Sequence, residues 1–136
     1  VRRILAAFAV AVTAALCLAG TASADQSLDP PFIARAEWAK WGDLSSLRVY
    51  PTESGRAAAA QLGTTAQADE AWTEVLALSP DAASPGMREQ FMCHWQYAEF
   101  AQPGKTSWNL EPWRPQVTAD QMVAAGCNPG GTEEPF

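Results

Sequence analysis

The chain has 136 residues, 48% of them hydrophobic and 18% charged, with nine Lys and Arg against fifteen Asp and Glu and a net charge of -6. A surface with this excess of acids repels phosphate backbones and anionic lipids, which excludes nucleic-acid binding and electrostatic membrane binding as functions. The length suits one domain with a core of its own.

At the start of the chain, Arg2 and Arg3 precede an apolar run from Ile4 to Ala19, and Ala22-Ser23-Ala24 supplies the small residues of a cleavage site. This pattern predicts a secretory signal peptide over residues 1–24. The apolar run is about 16 residues, short of the roughly 20 that a membrane-spanning helix needs, so no membrane association is expected after cleavage. Loss of Arg2 and Arg3 leaves seven Lys and Arg against fifteen acids, a net charge of -8. Loss of Cys17 leaves two cysteines, Cys93 and Cys127, in a chain that leaves the reducing cytoplasm, and a disulfide between them is expected; two buried thiols are the alternative.

Residues 25–31 read as a polar leader and 131–136 as a mobile tail, with a secreted α+β domain over residues 32–130. Its first segment, FIARAEWAKW, alternates, with Phe32, Ala34, Ala36 and Trp38 on one face and Arg35 and Glu37 on the other; LRVYP follows after a polar turn. Together they predict an N-terminal strand pair. Three to four helices are expected after it. Thr52 can cap one that ends at Gly63, and Thr64 with Gln67 has the spacing of a capping box ahead of a helix whose Ala68, Ala71, Trp72, Val75 and Leu76 recur at helical spacing. A second box, Thr118 with Gln121, opens a short helix that stops at Gly126, just before Cys127.

Between these lies SPGMREQFMCHWQYAEFAQPG, which holds the single histidine. A strand would alternate Phe91, Cys93, Trp95 and Tyr97, and would place His94 with Met92 and Gln96 on a more polar side. A helix would put Met87, Phe91, His94, Trp95 and Ala98 on one buried face, and the Ser84-Pro85 start and Pro103-Gly104 stop favour the helix. The stretch SWNLEPWRP crowds Trp108, Glu111, Trp113 and Arg114 between prolines that enforce an extended course. Its aromatic faces and paired charges suit a ligand surface, or equally a lid packed on the core with Glu111 and Arg114 as an ion pair.

A metal site is not expected, since zinc takes about four Cys, His, Asp or Glu ligands and this chain has one histidine and a cysteine pair expected to be oxidised. No cofactor is implied. A neutral imidazole can act as general acid or base if Glu99, Glu111 or Asp120 orients it, although no nucleophile motif accompanies it. A hydrogen-bonded core histidine asks for less. The packing of a bulky aromatic stretch over the helix leaves His94 to bond a backbone carbonyl or Glu111.

The ordered strings YPTxxGR (Tyr50 to Arg56), AWTEV (Ala71 to Val75), QFMCHW (Gln90 to Trp95), WNLEPWRP (Trp108 to Pro115) and CNPG (Cys127 to Gly130) resemble a family of small secreted actinobacterial domains of unknown function. The resemblance covers roughly residues 32–130 and implies a compartment without a reaction. Two functional readings follow. The first is an extracytoplasmic binding or interaction domain for an extracellular or cell-wall ligand, with Trp108, Trp113 and Arg114 beside His94. The second is a small hydrolase with His94 as general acid or base, Glu111 orienting it, and Arg48, Arg56 or Arg114 steadying negative charge. Convergence of His94, Glu111 and an arginine on an open pocket distinguishes the second from the first.

Overall fold

The structure, a computed structural model, describes residues 28–131; the segment expected to be a signal peptide, residues 25–27 of the expected leader and residues 132–136 of the expected tail lie outside the described residues. The expected strand pair is present as β1 (Ile33–Trp41) and β2 (Leu44–Pro51), antiparallel across a two-residue turn, Gly42-Asp43. Gly42 takes a φ of 57° at the first central position, which a hairpin of this length requires and a side chain would resist. The alternation in β1 is broken early. A register irregularity between Ile33 and Arg35 leaves Ala34 exposed, so Ile33 and Ala36, and not Ala34, turn towards the core.

A third strand, β3 (Trp108–Leu110), pairs antiparallel with β2 and makes β2 the centre of the sheet. The stretch between the prolines is therefore extended, as expected, but also joins the sheet. In this register Leu47 faces Leu110 and Val49 faces Trp108, all four fully buried.

Four helices complete a small α+β fold. The first two are α1 (Glu53–Ala59) and α2 (Thr65–Leu78); α3 (Met87–Ala101) follows, then α4 (Ala119–Ala124). Thr52 caps α1 by accepting from the Gly55 amide at 2.9 Å, but α1 ends at Ala59, earlier than expected. Gly55 is needed where it stands: a Cβ there would lie 2.1 Å from the Phe32 carbonyl oxygen. The Thr64–Gln67 box does not form. The Thr64 hydroxyl instead donates to the carbonyls of Ala58, in the last turn of α1, and of Gln61, just after it, and it accepts from the Trp95 indole at 3.0 Å. One side chain thus closes α1 and fixes α3. The Thr118–Gln121 box is complete, and α4 ends at Ala124, shortly before Gly126 and Cys127, both at positive φ.

The helical reading of 87–101 holds, and Met87, Phe91, His94 and Trp95 are buried on one face. Phe91, Trp95 and Trp108 meet edge to face or tilted at 6.0 to 6.2 Å, with Trp72 on the far side of Phe91. Aromatic contacts of this geometry add about 0.5 to 1.5 kcal/mol each beyond burial. The leader is tied down from residue 28 onward. Leu28 packs on the core, the Thr52 hydroxyl donates to the Pro31 carbonyl, and the Glu74 carboxylate receives the amides of Phe32 and Ile33.

Candidate functional site

The disulfide Cys93–Cys127 is formed, with an S–S distance of 2.06 Å and Cα atoms 5.6 Å apart. It fastens the end of α4 to the middle of α3, one residue before His94. Helical spacing then runs a stripe of His94, Tyr97, Ala98 and Ala101 along α3, and these face Val123, Gly126 and Cys127 across a largely apolar cleft of about 280 Å³. Gln102 and Lys105, in the loop after α3, also line it.

That loop is held by Arg56 of the YPTxxGR string. Its guanidinium pairs with Glu99 at 2.6 Å and donates to the Lys105 carbonyl at 2.5 Å, while the other Glu99 oxygen accepts the Gly104 amide at 3.2 Å. Gly104 has a φ of 72°, so the turn that presents Lys105 depends on a glycine.

His94 sits in the cleft wall, 4% exposed, with Nε2 3.1 Å from the Asn109 carbonyl of β3. A carbonyl only accepts, so Nε2 carries the proton and Nδ1 keeps the lone pair. Burial, with the positive charges of Lys105 and Arg114 nearby, lowers the imidazole pKa to about 3. The ring is therefore neutral at physiological pH.

Glu111 belongs to a different cluster. Its side chain is fully buried, accepting from the Ser46 hydroxyl at 2.8 Å and from Arg114 Nε at 2.7 Å. Gln90 of α3 clasps the backbone of the same residue, donating to its carbonyl and accepting its amide, both at 2.9 Å. Arg114 also donates to the carbonyls of Pro129 and Gly131 and lies over the Trp113 ring at 4.5 Å, while the Trp113 indole donates to the Ser45 carbonyl.

Of the residues singled out in the sequence, the structure thus joins Glu111, Trp113 and Arg114 in one network and sets His94 apart on the cleft. His94 and Glu111 bond separate partners, and Arg114 is committed to Glu111, so the catalytic convergence looked for in the sequence is not formed. Trp108 is fully buried against Phe91 and Trp95 and offers no face to a ligand; Arg114, at 3% exposure, likewise serves the interior. The pairing of Trp108–Leu110 with β2 is what turns Trp108 inward. Among the described residues, no group of three or more His, Cys, Asp or Glu could hold a metal ion, and no helix is long and apolar enough to cross a membrane.

The sequence reading missed Tyr97, Gln102, Lys105 and Val123 as cleft residues. The signal was present in the spacing 94, 97, 98, 101, which continues the histidine's stripe to the end of its helix.

Residues 33–130 match the model of a family described as a protein of unknown function, DUF2599. The chain belongs to this family. An uncharacterized protein of Mycobacterium tuberculosis is 52% identical over 149 aligned residues, covering 99% of each chain. An uncharacterized protein of Mycobacterium leprae is 50% identical over 103 residues, covering 76% of this chain and 83% of its own. No solved structure matches the chain.

Proposed function

We propose that the protein is an extracytoplasmic binding domain whose ligand site is the cleft between α3, α4 and the loop after α3. The observation that carries this is a concave, mainly apolar surface with a few polar groups at its edge, in which the one imidazole has its proton committed to the Asn109 carbonyl. A ring so held recognises and positions without needing to exchange a proton. Export is supported by the signal-peptide pattern of residues 1–24 and by an oxidised Cys93–Cys127 pair, which suits an oxidising compartment.

Two measurements test the reading. Amide chemical shifts recorded while a small-molecule fragment set is titrated should move at Tyr97, Ala98, Lys105 and Val123; movements confined to other surfaces, or hydrolytic turnover that disappears in His94→Gln, would overturn it in favour of a different site or of catalysis. N-terminal sequencing of the exported protein should begin at Asp25, and a start at Val1 would contradict export with cleavage.

A further inference from the structure

We propose that the protein pairs with a second copy of itself through the outer edge of β1, antiparallel, with Ala36 of each copy on the two-fold axis. The sheet has two edges, and the fold treats them differently. Along β3, side chains of α3 take up backbone groups that point away from β2: His94 donates to the Asn109 carbonyl, and Gln90 donates to the Glu111 carbonyl and accepts the Glu111 amide. At the start of β1, the Glu74 carboxylate receives the amides of Phe32 and Ile33. Beyond that point, among the described residues, β1 has β2 as its one strand neighbour.

The register shows which groups line this edge. Because Asn109 turns its carbonyl away from β2, the residue opposite it, Arg48, turns its amide and carbonyl towards β1 and exchanges bonds with Glu37. Alternation then aims the amides and carbonyls of Ala36 and Trp38 out of the sheet. Ala34, which the register skips, stands opposite no residue of β2. A row of outward amides and carbonyls is a template for a further strand.

The side chains select the strand that fits. Arg35 and Glu37 lie on one face of β1, each more than half exposed, and pair with each other at 2.9 Å. When two copies of β1 are laid antiparallel about Ala36, Arg35 of each stands opposite Glu37 of the other, and the four charges alternate in sign. These are positions without mutual hydrogen bonds, where Cα atoms come to about 4.5 Å and side chains are closest. The hydrogen-bonded positions set Ala36 against Ala36 and Trp38 against Ala34, so the one large side chain meets a small one. An axis at Glu37 would oppose two carboxylates, and an axis at Trp38 would leave Arg35 and Glu37 facing no opposite charge. Charges that guard an edge do so by repelling a like strand. In β1 they complement it.

The test follows the folded, disulfide-bonded protein by sedimentation velocity over a concentration series. A monomer–dimer equilibrium is expected, with hydrogen exchange of the Ala36 and Trp38 amides slowing as the dimer forms. Glu37→Arg opposes like charges and should weaken the dimer roughly tenfold or more, and adding Arg35→Glu should restore it. Both side chains are exposed, so these variants should keep the wild-type circular dichroism as dilute monomers. Oxidising a mixture of Arg35→Cys and Glu37→Cys proteins should give an intermolecular bridge that mass mapping places between positions 35 and 37. A bridge between two copies of position 37 would overturn the axis at Ala36. A dimer indifferent to Glu37→Arg would place the contact on another surface and overturn the proposal. A protein that stays monomeric up to about 1 mM would overturn it as well.

Discussion

Glu111 and His94 are both buried, and both are anchored at or next to β3, yet their surroundings differ in kind. Glu111 is enclosed by donors, with Ser46 and Arg114 on its carboxylate and Gln90 on its backbone. His94 bonds the Asn109 carbonyl and lines an apolar cleft. The first arrangement compensates a charge fully and leaves it nothing to offer a ligand. The second keeps a group neutral and next to space. Burial alone therefore does not mark a functional residue in this molecule; what decides is whether the partners close every side.

The largest effect should come from opening the enclosed cluster. Removing one member of a buried, hydrogen-bonded ion pair leaves the other charge without its partner, so Glu111→Ala or Arg114→Ala should lose about 3 to 5 kcal/mol in urea unfolding. A loss below about 1 kcal/mol would mean that the pair is hydrated and that the contrast with His94 is overdrawn. Next is the disulfide, which closes a loop of sequence separation 34 between α3 and α4. Cys93→Ser with Cys127→Ser should lose about 3 to 4 kcal/mol. The loss should be accompanied by shifts at Val123 and Tyr97, because the bridge sets one wall of the cleft.

His94→Ala should cost less, about 1 to 3 kcal/mol, since it removes the imidazole N–H from the buried Asn109 carbonyl. His94→Gln can replace the donor and should recover part of that loss. If the two variants unfold alike at wild-type stability, the bond to Asn109 does no structural work. The last effect is a slope, read per pH unit. The folded pKa of His94, about 3, lies below the unfolded value of 6.5, so between those pH values the unfolded chain binds a proton that the folded one does not. Stability should fall as pH drops through this window, by at most about 1.4 kcal/mol per pH unit more than in His94→Gln.

Much of this contrast was legible in the sequence, and particular residues explain where it was not. The helix over 87–101 could be read from its start, its stop and the stripe through Phe91, His94 and Trp95, because amphipathic spacing reports a neighbour on one side only. For His94 the sequence left two partners open, a backbone carbonyl or Glu111, and the bond is to the Asn109 carbonyl. The Cys93–Cys127 bridge followed from counting. Strand β3 could not be read, because pairing with β2 is a non-local choice and WNL carries no alternation long enough to announce it. Trp108 and Arg114 looked like ligand residues for the same reason: composition reports chemistry, while only the sheet register turns Trp108 inward. Thr64 shows the reverse case, a correctly spaced capping box whose hydroxyl was drawn away by the carbonyls of Ala58 and Gln61 and by the Trp95 indole. Lys105 was passed over because its relation to the cleft depends on Arg56, which is 49 positions away along the chain.

The central claim is that His94 is a neutral, carbonyl-bonded ring in the wall of a ligand cleft. Because the chain holds one histidine, the imidazole nitrogen and carbon resonances can be followed without assignment ambiguity as pH is lowered from 8 to 4 in the folded protein. The account predicts the Nε2–H form throughout, with no titration midpoint in that range. A midpoint near the ordinary value of 6.5, or a ring protonated on Nδ1 alone, would contradict it.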